Sequence, residues 1–158
     1  MKLPAPPSWK TFSPTKRAWV DRLIRLVTAA NVWVFRTSGG RLGGTFVGGT
    51  KVCLLTTVGR KSGLPRTVAL LFLPDGDRLV IVASKGGDYQ PPLWYTNLVA
   101  NPHVEVDLGG GPDPYLATTA SDAERDALWP RVVEYYAGYA DYQAVADRVI
   151  PLVLLTRR

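Results

Sequence analysis

Thr67-Val68-Ala69-Leu70-Leu71-Phe72-Leu73-Pro74-Asp75-Gly76-Asp77-Arg78-Leu79-Val80-Ile81-Val82-Ala83 reads as two strands, 67–73 and 79–83, joined by a turn at 74–77. Pro, Asp and Gly between two β-rich runs are a hairpin signal. Leu70 to Leu73 are apolar without alternation. A strand of that kind is covered on both faces, as in a barrel wall packed by a helix.

Working outward, 52–57 is a further β-rich run upstream, and 91–100 is a short helix downstream. In 103–108, Val104 and Val106 alternate with His103, Glu105 and Asp107, the pattern of a strand with one wet face. Gly109-Gly110-Gly111-Pro112 turns the chain into a strand at 115–119. Ser121, with Glu124 three residues on, opens a helix through a capping box, which Pro130 is expected to kink or restart. A second helical piece at 142–148 leads through Pro151 to a last strand at 152–156. There is no regular strand-helix alternation of the doubly wound kind, so the fold class is mixed α+β, mainly β, in a small barrel.

Residues 14–36 precede the strands with helical spacing. Trp19, Val20, Leu23, Ile24, Val27, Ala30 and Val34 share one face, with Asp21, Arg22, Arg25 and Arg36 on the other. The apolar face packs on the protein's own sheet or lies on a membrane surface. Ser38 to Thr45 is glycine-rich and lacks dinucleotide-fingerprint spacing, so it is expected to be a flexible loop. We expect a tail and amphipathic helix over 1–40 and a barrel over 41–158, together one domain, because 158 residues are too few for two ordinary cores.

A net charge of +6 favours an anionic partner. Cys53 is the only cysteine, which rules out an internal disulfide and favours the cytoplasm. The first residues lack the pattern of a secretory signal, and the stretch 23–35 is too short and too interrupted to span a bilayer. His103 is the single histidine, with no metal or triad motif beside it, and no zinc-finger spacing is present. The expectation is no metal and no nucleic acid. The oligomeric state is not legible.

Three clusters carry candidate chemistry. Gly59-Arg60-Lys61-Ser62-Gly63, with Pro65-Arg66 close behind, can aim Arg60, Lys61, Ser62 and Arg66 at one phosphate, or be a solvated basic turn. Ala83-Ser84-Lys85-Gly86-Gly87, followed by Leu93-Trp94-Tyr95-Thr96-Asn97, can wall a flat ring with Trp94 and Tyr95 and hydrogen-bond its edge through Asn97. The alternative is a helix cap with two core aromatics. Tyr135, Tyr136, Tyr139 and Tyr142 form a run of phenols too polar to bury without partners, so some are expected to face a cavity. Otherwise they are wedges at the barrel rim, the reading preferred for Tyr135.

Taken together, residues 54–66, Ala83 to Gly87, Trp94 to Leu98, Ala100-Asn101-Pro102, Trp129-Pro130 and Asp141-Tyr142-Gln143 resemble the deazaflavin-dependent nitroreductase family. The resemblance runs from about Leu42 to Pro151. It implies a split β-barrel related to the flavin-mononucleotide oxidoreductases, holding coenzyme F420, and hydride transfer from its reduced form, F420H2, to a small organic acceptor such as a quinone, nitroaromatic or activated enone. Arg60, Lys61 and Ser62 would then take the anionic tail, and Arg66, Thr67, Val68, Ala69, Leu70 and Leu71 would line the cofactor. Val82, Ala83, Ser84 and Lys85 would contact the deazaflavin, with Leu93, Trp94, Tyr95, Thr96 and Asn97 closing around it and Tyr139 capping the reacting end. Val68-Ala69 stands where that family often has Asn-Pro. Ser84, Tyr136, Tyr139 and Tyr142 are the candidates for positioning the acceptor and stabilising or protonating it. The resemblance also suggests peripheral contact of the basic helix with anionic membrane. The alternatives are a flavin-mononucleotide or haem split barrel, a non-catalytic F420 carrier, and a membrane-surface binding module.

Overall fold

The computed structural model describes residues 14–158; several side chains between 14 and 28, and that of Val47, lie outside the description. The N-terminal tail and the positions of Val20, Asp21, Ile24 and Arg25 on the expected helix faces therefore fall outside it. Helix α1 spans Pro14–Thr37. Six strands follow: β1 (Val52–Val58), β2 (Pro65–Asp75), β3 (Arg78–Val82), β4 (His103–Asp107), β5 (Pro112–Thr119) and β6 (Leu152–Arg157). They close into one antiparallel barrel in the order β1-β2-β3-β6-β5-β4. Helix α2 (Leu93–Ala100) lies between β3 and β4, and α3 (Asp122–Tyr135) and α4 (Gly138–Val145) between β5 and β6.

The hairpin is where the sequence puts it, with Phe72 opposite Ile81 and Asp75 opposite Arg78. Asp75 accepts from Arg78 at 2.7 Å and from Arg131 of α3 at 2.6 Å, so the turn is stapled to the helix that covers it. Those two guanidinium groups hold the Asp75 carboxyl below its ordinary range.

Strand alternation divides the apolar residues into two cores. Inside the barrel, Cys53, Leu55, Phe72, Ile81, Val104 and Val106 pack with Trp94 and Leu98 of α2, which plugs one end. Outside, Val80, Val82, Leu152 and Leu154 pack under Leu128 and Val132 of α3 and Tyr139 of α4. This double cover accounts for the unbroken Leu70–Leu73 run: Leu70 and Phe72 face the inner core, Leu71 and Leu73 the outer one.

Three sequence expectations change. Helix α3 runs through Pro130 without a break. Its start is fixed by the capping box, Ser121 Oγ accepting from the Glu124 N–H while the Glu124 carboxylate accepts from the Ser121 N–H. Pro130 is exposed, so water can serve the carbonyl left without its N–H donor. The second helical piece begins at Gly138 and ends at Val145, short of the expected 142–148. Beyond it, Gln143 ties the connecting segment by donating to the Arg148 carbonyl at 2.9 Å and accepting from the Ile150 N–H at 2.9 Å. The glycine-rich segment after α1 is a packed turn: a Cβ at Gly40 (φ +77°) would stand 3.0 Å from the Gly109 Cα in the β4–β5 connection.

On α1, Phe35 is buried, while Trp19 and Trp33 are 71 % and 67 % exposed and Leu23, Leu26 and Val27 are also exposed. Among the described side chains of this helix, Phe35, near its C-terminus, is the one buried in the core. Among the described residues no helix is long and apolar enough to cross a membrane.

Candidate functional site

The β1–β2 connection is a tight basic turn. The Gly59 N–H donates to the Leu64 carbonyl at 2.8 Å and the Gly63 N–H to the Gly59 carbonyl at 2.7 Å. A Cβ at Gly59 would come within 2.6 Å of Ser62 Oγ, and Gly63 sits at φ +67°. Gly63 is therefore required by its left-handed backbone, while a side chain at Gly59 would displace the Ser62 hydroxyl. Arg60, Lys61, Ser62 and Arg66 are all exposed on it. Ser62 Oγ accepts from the Leu64 N–H at 3.3 Å, which fixes the hydroxyl oxygen and leaves its hydrogen free to donate.

Helix α2 holds this turn in place. Asn97 is buried; its Oδ1 accepts from the Arg60 N–H at 3.1 Å and its Nδ2 donates to Thr57 Oγ1 at 3.1 Å. Arg60 Nε donates to Thr96 Oγ1 at 3.4 Å. Asn97 thus acts as a strut between helix and turn. Trp94 is buried among the inner core residues as the barrel plug, the alternative that the sequence left open for it. Tyr95 is half-buried, with its hydroxyl 3.2 Å from Thr119 Oγ1. Of the expected closing segment 93–97, Leu93 alone is fully exposed.

Strand β2 leads from the turn. Its pleat divides the segment 66–71 between two faces, with Val68 and Leu70 pointing into the barrel. Thr67, Ala69 and Leu71 take the outer face by alternation, and Thr67 Oγ1 lies 2.8 Å from Thr56 Oγ1 of β1. From Thr67 to Leu71 that face covers about 13 Å at roughly 3.3 Å per residue.

At its far end stand the phenols. Tyr136 packs edge-on to Tyr139 at 5.1 Å, and Tyr142 lies 6.2 Å from Tyr139 and 6.4 Å from Tyr136. Tyr139 is only 7 % exposed. Together with Leu71, Val82, Val132 and Tyr135 it encloses a crevice with no room for water. Tyr136 and Tyr142 are half-buried and form the accessible part of the cluster. Tyr135 is turned to the rim, where its hydroxyl accepts from the Lys51 N–H at 2.7 Å. Burial pushes Tyr139 far above the ordinary phenol range. Burial, helped by a hydrogen bond with Tyr136, pushes Tyr142 up to about 12. Tyr139 and Tyr142 are therefore neutral at physiological pH.

The segment after β3 completes the site. Val82 lies in the outer core, Ala83 in the inner core, and Ser84 is nearly buried. Lys85 has φ +47°, unusual for a residue with a side chain, and is tied to Asp88 by an ion pair of 2.9 Å. A left-handed non-glycine residue costs on the order of 1 kcal/mol, which the surrounding contacts must offset. A Cβ at Gly87 (φ +82°) would stand 2.7 Å from the Tyr142 carbonyl oxygen. Glycine there allows α4 to sit directly on the loop.

Two neighbours were missed in the sequence. Phe46 packs edge-on to Tyr136 at 6.1 Å, and Arg148 hydrogen-bonds the Ser84 loop. A lone exposed aromatic in a glycine-rich loop was the only available sign of the first; nothing local marked the second. Among the described residues no group of three His, Cys, Asp or Glu side chains could hold a metal. Cys53 is fully buried, and burial pushes its thiol up to about 12, so it is inert.

Comparison with known proteins fits this arrangement. A F420H(2)-dependent quinone reductase of Mycobacterium tuberculosis is 41 % identical over 150 residues, covering 89 % of this chain and 97 % of that protein. A solved F420H2-dependent reductase, FDR-A, is 41 % identical with a TM-score of 0.60 over 66 % of this chain and 92 % of that one. A structure described as a domain-swapped dimer is 35 % identical with a TM-score of 0.64, covering 90 % of this chain and 99 % of its own. Residues 27–157, nearly the whole described chain, match one family description, and on that extent the chain belongs to the F420H(2)-dependent quinone reductase family.

Proposed function

We propose that this protein binds reduced F420 along the outer face of β1 and β2 and passes its hydride to a quinone-type acceptor held by the phenol cluster. The observation that carries this reading is the division of that face. Exposed Arg60, Lys61 and Arg66 stand at one end, and Tyr136, Tyr139 and Tyr142 at the other. Among the described residues none of the three cations has a carboxylate within ion-pair distance. Their charge is therefore available to an anionic ligand, as a phosphate and oligoglutamate tail requires. When bound, the reduced deazaflavin supplies two electrons and one proton together as hydride.

The chain's own groups then have few tasks. The basic turn anchors the tail, and Ala69, the smallest side chain on the outer face of β2, leaves room for a ligand lying along the strand. Ser84 and Lys85 would hold the ring when it is bound, with the exposed Leu93 available to cover it. The hydroxyls of Tyr136 and Tyr142 donate hydrogen bonds to the acceptor oxygen that becomes negative as hydride arrives, and the apolar wall below them excludes water. Tyr139, closed into that wall, orients the other two rings. Nitroaromatics and activated enones offer similar electron-poor acceptors. Anaerobic mixing of the protein with reduced F420 and menadione should restore the oxidised cofactor's visible absorbance. No recovery with any quinone, despite tight cofactor binding, would leave a carrier.

A second reading concerns α1, whose exposed Trp19, Leu23, Leu26, Val27 and Trp33 form an apolar side on a helix that also carries the exposed Arg22 and Arg36. In this reading residues 1–40 are an appendage to the catalytic barrel of 41–158. The helix lies on the cytoplasmic face of an anionic membrane, where a lipophilic quinone would be within reach of the site. Exchange of the same helix between two copies is the competing use of that surface.

A further inference from the structure

Arg148 stands between α4 and β6, outside the phosphate turn and the phenol cluster. Its Nη2 donates to the carbonyl oxygens of Ala83 at 2.9 Å and Ser84 at 3.2 Å, and its Nε donates to that of Asp88 at 3.1 Å. One guanidinium therefore spans both ends of the 83–88 loop. The loop's short internal bonds, from the Gly87 N–H to the Ser84 carbonyl and from the Asp88 N–H to the Lys85 carbonyl, leave its ends to be held from outside.

The charge of Arg148 is handled unusually. Among the described residues it has no carboxylate at ion-pair distance, because the Asp88 carboxylate is engaged by Lys85 and by the Gln90 N–H. Its Nη1 is buried without a hydrogen-bond partner among those residues. Desolvation works against its cationic form, which a guanidinium nonetheless keeps at physiological pH. A partly desolvated cation held by carbonyl dipoles and the nearby Asp88 charge, without an ion pair, is a poor way to gain stability. It is, however, a rigid three-point fork and a source of positive potential beside Ser84.

The same loop meets α4 on its other side. Gly87 allows the Tyr142 backbone and Val145 to lie against it, and Gln143 of α4 in turn holds the Arg148 backbone. We propose that Arg148 is a positioning residue for hydride transfer: it fixes the 83–88 loop so that Ser84 and the α4 phenols face one ligand in a single geometry. This rests on the reading of Ser84 and the phenols given above. Misplacement by about 1 Å at such a site is enough for a rate loss of roughly a hundredfold.

The test uses the full chain with Arg148→Ala, Arg148→Lys and Gly87→Ala. In the cofactor-free protein, the Gly87 and Asp88 amides should exchange faster in both Arg148 variants. With reduced F420 and menadione, the single-turnover rate of Arg148→Ala should fall about ten- to a hundredfold while cofactor affinity, set by the 59–66 turn, stays within about threefold. Added guanidinium ion should restore part of that rate, and Arg148→Lys should fall between wild type and Arg148→Ala. Gly87→Ala keeps the charge but forces loop and helix apart, so it should lose rate without rescue by guanidinium. A folded Arg148→Ala or Arg148→Lys with wild-type rate and wild-type exchange overturns the proposal. So does parallel loss of melting temperature, affinity and rate with no rescue, which marks a purely structural arginine. Should Arg148→Ala fail to fold, Arg148→Lys decides by the same criteria. If wild type itself transfers no hydride, the functional reading has failed, and amide exchange still reports on the clamp.

Discussion

Tyr139 and Tyr136 show how burial assigns different work to the same side chain. Tyr139 is closed into the outer core, whereas Tyr136 keeps part of its ring open beside Phe46. Tyr136→Phe removes the hydroxyl that we propose meets the acceptor and should slow single-turnover hydride transfer about ten- to a hundredfold, equivalent to roughly one to three kcal/mol, with little change in melting temperature. Tyr139→Phe should act more weakly on the rate, because its hydroxyl reaches the acceptor only through its neighbours. Equal rates in wild type and Tyr136→Phe would remove that hydroxyl from the reaction. Titration adds a second check. Folding raises the Tyr142 phenol from about 10 to about 12, so the folded state binds this proton more tightly than the unfolded chain. Its stabilising contribution is complete below pH 10 and is lost as pH rises from there towards 12. Urea unfolding across that window should show declining stability for wild type and a shallower decline for Tyr142→Phe.

At the scale of elements, α4 depends on a glycine at its first residue. A Cβ at Gly138 would meet the Tyr136 ring at 2.5 Å, so Gly138→Ala should displace that ring and lower acceptor turnover while leaving cofactor affinity unchanged. Loss of affinity with turnover preserved would contradict this. The elements also show what was legible in advance. The 74–77 turn, the Ser121 capping box and the doubly covered β2 were readable because each is a local pattern whose cause lies within a few residues. The faces of Val68 and Leu70 were not, since their segment lacks alternation and pairing with β1 decides which way each points. Trp94 and Asn97 looked like ligand contacts beside an exposed leucine, and only barrel closure turns the first into a plug and the second into a strut. Arg148 is separated by about sixty residues from the loop that it clamps, so no sequence window contains both.

For the whole molecule, the barrel brings three clusters, dispersed over much of the chain, onto one side, and α1 adds a surface of exposed tryptophans. Binding to anionic vesicles should be lost on deleting residues 1–33, which removes the exposed Trp19 and Trp33 and keeps the buried Phe35, while the barrel stays folded. A truncated protein that unfolds, or an intact one that dimerises and ignores vesicles, would assign the helix to packing. The central claim is that one outer face holds the cofactor's anionic tail at its basic turn and the reacting ring at its phenols. It is tested most directly by comparing the affinity of F420 with that of the same deazaflavin lacking phosphate and glutamates, in wild type, Arg60→Ala/Lys61→Ala and Tyr136→Phe. The account predicts that wild type prefers the tailed cofactor by at least tenfold at low salt, that the double variant loses most of this preference, and that Tyr136→Phe retains it. A preference that survives the double variant, or one that disappears in Tyr136→Phe, would contradict it.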